Sequence, residues 1–276
     1  MAITAQDVNK LRKSTGAGMM DCKKALTEAN GDFDTAVELL RKQGQKVSAK
    51  RADRETTEGS VFLRTNSDAS KGYVIALSCE TDFVAKNDEF QALGNSIADA
   101  IAAGGADSAE AAAALPFTDG RSISENLVDY IGKIGEKIEV SSVETVEANS
   151  VVTYLHSNSK LGVLVGLNAK GDSIEAAGKD VAMQIAAMNP VGLNKESIAQ
   201  DVVDRELALG REQAAAEGKP EQIHDKIAQG KLQKFFKENT LLEQSFVKDP
   251  STTVSKMLDG VEKGLTVSEF KRVAIG

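Results

Sequence analysis

One apolar hairpin pattern occurs twice in this chain, and that repetition constrains the fold more than any other feature. Residues 60–65 and 72–79, rich in Val, Phe, Ile and Leu, flank a polar turn at 66–71. The same order returns at 151–155, 156–160 and 162–167. Gly72 and Gly162 stand 90 positions apart, and Leu77 and Leu167 keep that offset. A helix rich in small residues follows each hairpin. Ile101-Ala102-Ala103 in the first (expected over about 87–103) matches Ile185-Ala186-Ala187 in the second at an offset of 84. The difference of six puts extra residues into the first copy, between its second strand and its helix, within 80–90. Two hairpins, each handing over to a helix, predict two α+β subdomains from one internal duplication.

The first fifty residues carry a helical period instead. The pattern predicts a helix over 5–14 behind Thr4 as cap, with Val8 and Leu11 on one face. Thr15-Gly16-Ala17-Gly18 breaks the chain, because two glycines in four residues disfavour continued helix. A second helix over 19–29 stops at Asn30-Gly31. A third starts after Asp32 with Phe33, Ala36, Val37 and Leu40 at helical spacing. The polar stretch 45–58 reads as a linker. Late in the chain, 196–238 is charged, Ala- and Leu-rich and helical in period. Pro220 is placed to open a new helix after Glu217-Gly218-Lys219. Two arms folding back would set Val202, Leu209 and Ala216 against Ile223, Ile227 and Phe235, an antiparallel helical hairpin with a seam too narrow for a large core. Such a hairpin is expected to protrude. Short apolar strands are expected at 244–247 and 270–275. The expected organisation is α+β: a three-helix bundle over 1–52 resembling a ubiquitin-associated (UBA) domain, a core subdomain over 53–145, and a second over 146–276 with 196–238 inserted.

A net charge of −8, from 41 acids against 33 bases, repels phosphate backbones and argues against general nucleic-acid binding. Lys42, Lys46, Lys50 and Arg51 form a local basic patch. No run approaches the roughly 20 apolar residues of a membrane span. The start, Met-Ala-Ile-Thr-Ala-Gln-Asp, shows no secretory signal, so a cytoplasmic protein with reduced thiols is expected. Cys22 and Cys79 suit neither a disulfide framework nor a zinc site, so no metal or cofactor is expected. A phosphate-cradling loop is absent, and Gly16-Ala17-Gly18 follows a helix rather than a strand. His224-Asp225 lies on a charged helix face, and Cys22 on an apolar one. Nothing assembles nucleophile, base and orienter, so the chain is not expected to be an enzyme.

Two segments carry more information than folding requires. In Thr15-Gly16-Ala17-Gly18-Met19-Met20, adjacent helical positions lie about 100° apart, so two methionines do not share one narrow core. At least one is expected at the surface, as an adaptable contact. In Glu80-Thr81-Asp82-Phe83-Val84-Ala85-Lys86, a plain alternative is a helix capped by Thr81 or Asp82 with Phe83 in the core. The matching stretch of the second copy, Lys170-Gly171-Asp172-Ser173-Ile174, has no aromatic and no extra residues. A feature held by one repeat alone points to a task rather than to the shared fold.

Together, Thr-Gly-Ala-Gly-Met-Met-Asp-Cys-Lys-Lys-Ala-Leu at 15–26 and Thr-Asp-Phe-Val-Ala-Lys at 81–86 resemble the elongation factor Ts family, across essentially the whole chain. The resemblance implies a guanine-nucleotide exchange factor whose partner is elongation factor Tu. It implies that Thr15, Gly16, Ala17, Gly18, Met19 and Met20 grip that partner. It further implies that Thr81, Asp82, Phe83 and Val84 dislodge the partner's magnesium ion. His156, in Tyr154-Leu155-His156, matches a partner-contacting position of the second subdomain. Some members dock an extra C-terminal helix; here the chain stops soon after 270–275, and contacts from such a helix are not expected.

Overall fold

The structure is a computed structural model and describes residues 3–276. Thr4 caps α1 (Ala5–Thr15) through a reciprocal box with Asp7, and Gly16 ends it in the left-handed conformation at φ 69°. α2 (Met19–Glu28) follows, then α3 (Phe33–Arg51) behind the Asp32 cap. Val8, Leu11, Cys22, Ala25, Leu26 and Ala36 pack together as the core of this bundle.

The chain then runs through β1 (Glu58–Thr65), β2 (Lys71–Cys79), the one-turn helix α4 (Asp82–Ala85) and α5 (Asp88–Gly104). It continues through α6 (Ala109–Ala113), α7 (Ile123–Ile134) and β3 (Ile138–Glu147). The second copy brings β4 (Ser150–Leu155), β5 (Leu161–Leu167) and α8 (Asp172–Met188). After it come α9 (Gln200–Ala216) and α10 (His224–Asn239). The remainder is β6 (Ser245–Phe246), β7 (Asp249–Thr253), α11 (Val254–Val261) and β8 (Val267–Ala274). The sheets are ordered β1-β2-β3, β4-β5-β8 and β6-β7. Contacts divide the chain into two compact units. One comprises the residues up to Phe62, Ile75–Glu144 and Val273–Gly276; the other comprises Leu63–Val74 and Thr145–Arg272.

The duplication reaches the level of single hydrogen bonds. In the first hairpin turn the Asn66 amide donates to the Lys71 carbonyl at 3.0 Å, and Ala69 takes a positive φ of 56°. Ninety residues later the His156 amide donates to the Leu161 carbonyl at 2.8 Å, and Ser159 takes the same φ. The helices α5 and α8 are both 17 residues long, start 84 positions apart, and each ends at a left-handed residue, Gly105 and Asn189. Gly94 and Gly178, also 84 apart, let each helix close on its sheet. A Cβ on Gly94 would strike the Phe62 ring, and one on Gly178 would meet Val152 at 2.7 Å and Leu167 at 2.8 Å. The six extra residues fall between β2 and α5 and form α4 with its flanks.

Three expectations need correction. The stretch 45–58 is not all linker, since α3 continues to Arg51. The extension is stabilised by packing that an apolar count does not register. Gly44 lies so close to α7 that a Cβ on Gly132 would meet its Cα at 2.6 Å. The seam of the α9–α10 hairpin is also shifted. Buried positions are Gly210, Ala214, Ala228, Leu232 and Phe236, whereas Leu209 is 45% exposed and Ile223 39% exposed. Close approach at Gly210, where a Cβ would meet Ala228 at 2.8 Å, sets that register. Short residues win because they bring the backbones together, and the larger Leu209 and Ile223 are left outside. Lastly, Pro220 precedes a short 3-10 turn, Glu221–Ile223, and α10 begins at His224.

Candidate partner-binding site

The turn between α1 and α2 leads directly into the two methionines that open α2. The Thr15 hydroxyl donates to the Leu11 carbonyl at 2.8 Å and accepts from the Ala17 amide at 3.3 Å, tying the turn back onto α1. Cys22 is fully buried and its thiol points to the Ala17 carbonyl at 3.6 Å. Burial pushes that thiol above its ordinary pKa, against any ready thiolate. Gly18 opens α2 without a side-chain cap. Met19 and Met20 then stand 54% and 75% exposed, so both reach the surface where neighbouring helical positions required only one to do so.

The segment after β2 is held at its base and bare at its apex. Glu80 accepts two bonds from the Arg51 guanidinium, at 2.8 and 2.9 Å, and one from the Lys137 amide at 2.6 Å. Burial opposes ionisation of Glu80, yet the Lys137 amide and Arg51 outweigh it and hold the carboxyl below its usual range. Thr81 donates to Glu136 twice, from its amide at 3.0 Å and its hydroxyl at 2.7 Å. The Thr81 oxygen also accepts from the Val84 amide at 3.4 Å and so caps α4. At the far end Ala85 is buried, and its carbonyl accepts from Gln91 at 2.7 Å. Cys79, just before this segment, is buried and carries a thiol pushed up to about 12, mainly by desolvation. Between these anchors Phe83 is 83% exposed, the highest value among the exposed large apolar side chains of the described residues. Beside it the Asp82 carboxylate pairs with Lys86 at 2.7 Å. The plain alternative is half right, since Thr81 caps a helix, but Phe83 is outside the core.

The structure links the two segments through α7, which the periodicity reading left unassigned. Lys133, in its last turn, pairs with Glu89 of α5 and covers Gly16, where an added Cβ would meet Lys133 Cε at 2.5 Å. Glu136, two residues past its end, holds Thr81. The capping box at Ser122 and Glu125, with apolar Ile123, Leu127 and Ile131, was the signal available for α7.

His156 lies in the other unit and is not among these residues. It is exposed at the second hairpin turn, with Nδ1 3.0 Å from the Tyr154 hydroxyl. His224 and Asp225 do not pair. The His224 ring meets the Lys219 carbonyl at 2.8 Å, and Asp225 meets Arg211 at 2.6 Å. Among the described residues no three His, Cys, Asp or Glu side chains gather as a metal site, and no helix is long and apolar enough to cross a membrane.

Comparisons with known proteins bear on the family of the chain as a whole. The family model for elongation factor TS matches residues 80–276. A protein of Amoebophilus asiaticus named elongation factor Ts is 54% identical over the full length of both chains. One of the same name from Cytophaga hutchinsonii is 52% identical over 99% of each. A more distant namesake, from Corynebacterium glutamicum, is 44% identical over 99% of this chain and 98% of its own. With a family model covering well over half of the chain and relatives matching it end to end, this chain belongs to the elongation factor Ts family.

Proposed function

We propose that the chain is a cytoplasmic guanine-nucleotide exchange factor of translation elongation that binds elongation factor Tu carrying GDP and promotes GDP release, without catalysing a reaction of its own. The observation that carries this reading is Phe83. It is an almost bare aromatic on a one-turn helix anchored at both ends, and the second repeat has no counterpart.

A GTPase holds its nucleotide through magnesium, a lysine and backbone amides around the phosphates. Magnesium tolerates little departure from octahedral oxygen geometry, so a small displacement of its neighbours weakens it sharply. Phe83, inserted between elements of the partner, would hold them apart, and its burial would stabilise the opened state by roughly 2–3 kcal/mol. Asp82 brings a carboxylate beside that wedge, able to compete for or repel groups in the metal's shell. Thr81 and Val84 complete the tip. Thr15, Gly16, Ala17, Gly18, Met19 and Met20 supply the adaptable grip, and His156 a contact from the second hairpin. Speeding release a thousandfold needs roughly 4 kcal/mol. A wedge and a weakened metal contact have that size when the wider interface holds them in place. Reciprocity requires nucleotide to weaken the factor's own grip by the same ratio, so GTP expels it and the cycle turns over.

The test is release of fluorescent GDP from purified elongation factor Tu. This chain accelerates release in proportion to its concentration until saturation. Tight binding with an unchanged release rate would mean an adaptor without exchange activity, and would sink the reading.

A further inference from the structure

α4 has four residues, far below the length at which a helix sustains itself in water, so its direction depends on its anchors. At its C-terminal end the anchor is the chain's own core: Ala85 is buried, and Gln91 joins the Ala85 carbonyl to the Ser60 hydroxyl, both at 2.7 Å. The N-terminal anchor is of another kind. Glu136 is 55 positions away in sequence, on the segment that leaves α7 after Gly135. Its two carboxylate oxygens take both donors of Thr81, at 3.0 and 2.7 Å. With its proton committed to Glu136, the Thr81 hydroxyl turns a lone pair to the Val84 amide. The next residue, Lys137, returns its amide to Glu80 at 2.6 Å. Residues 80–81 and 136–137 thus clasp each other from both sides.

The second repeat has a clasp of its own, and it holds something different. Asn168, directly after β5, accepts from the Thr266 amide at 2.8 Å and donates to the Gly264 carbonyl at 2.9 Å. That side chain joins the loop to the entry of β8 and steers no projecting helix. Tying a hairpin to its third strand needs one amide side chain. The carboxylate aimed at the capping residue of α4 is additional.

We propose that Glu136 is a positioning residue for exchange: by fixing Thr81 through both of its donors, it sets the direction in which α4 presents Phe83. This rests on Phe83 being the wedge. Bonds to a charged acceptor contribute more than neutral ones, so losing the pair lets the tip swing without unfolding the subdomain.

The test measures GDP release from elongation factor Tu as a function of factor concentration for the full chain, Glu136→Ala, Glu136→Gln, Phe83→Ala and Glu136→Ala/Phe83→Ala. Glu136→Ala lowers the saturating rate on the order of tenfold, with the half-saturating concentration changed less than about threefold. Glu136→Gln, which keeps one acceptor, falls between. The double variant is no slower than Phe83→Ala, since an aiming device has no effect once the aimed group is gone. A loss confined to half-saturation, or losses that add in the double variant, would overturn the inference. A slow Phe83→Ala beside an unimpaired Glu136→Ala would overturn it while sparing the wedge. A normal Phe83→Ala would remove the wedge itself. If Glu136→Ala melts early, Glu136→Gln decides, because it keeps the length of the side chain and one acceptor while giving up the charge; its saturating rate must also fall.

Discussion

Two copies of one β-hairpin and helix sit in this chain and differ in length by six residues. The geometry the copies share holds the hairpin turns and packs each helix on its sheet. The turn bonds at Asn66 and His156, the left-handed Ala69 and Ser159, and the helix glycines Gly94 and Gly178 recur at offsets of 90 and 84. What they do not share is α4. In the first copy the inserted residues carry a bare phenylalanine on a clamped base. In the second, β5 passes into α8 through a short loop, and Gly171 starts the helix without a side-chain cap. A duplicated fold supplies its own control: a residue missing from the sister copy is not there to hold the common architecture.

The largest expected effect strikes at that difference. Phe83→Ala slows GDP release from elongation factor Tu roughly 30- to 150-fold, the equivalent of 2–3 kcal/mol of lost burial. Its melting temperature stays within a degree or two of the parent, because an 83% exposed side chain supports no core. Unfolding and exchange assays run on one preparation separate the two. The shared glycines should show the opposite profile. Gly94→Ala or Gly178→Ala destabilises by about 1–3 kcal/mol through overpacking, as read by denaturant unfolding. Gly94→Ala regains part of that when Phe62→Leu makes room; if both glycine variants were neutral, the close helix–sheet approach would be misjudged.

Met20→Ala is expected to weaken partner binding several-fold, about 1 kcal/mol, with the saturating exchange rate intact. It is a cleaner probe of the grip than removing the bundle, since α3 packs closely on α7 at Gly44 and Gly132 and its loss would disturb the tip as well. His156→Ala is the smallest, about twofold in affinity, because the ring is exposed and its turn is held by backbone bonds common to both copies. A large loss of exchange rate in His156→Ala would break the assignment of exchange to the first repeat alone.

The repeat, the bundle and the exposed segments were legible because each writes a periodic or broken pattern into local sequence. Offsets of 90 and 84 locate the insertion from sequence alone, and the Met19-Met20 pair requires at least one exposed side chain, where the structure exposes both. What local pattern did not show is long-range and made of small or polar groups. α7 and the strand after it went unassigned although they brace the site, since the Glu136–Thr81 bonds span 55 positions and have no period. The end of α3 and the hairpin seam depend on Gly44, Gly132, Gly210 and Ala228, residues whose contribution is to let backbones meet. Hydrophobic counting sees large side chains and overlooks such contacts.

The most direct test of a nucleotide-displacing tip is the affinity of this chain for elongation factor Tu, titrated with and without saturating GDP and magnesium. Nucleotide is expected to weaken the complex by the same factor by which the chain weakens nucleotide binding, and Phe83→Ala to shrink both factors together. An affinity indifferent to GDP, in the parent chain, would contradict it.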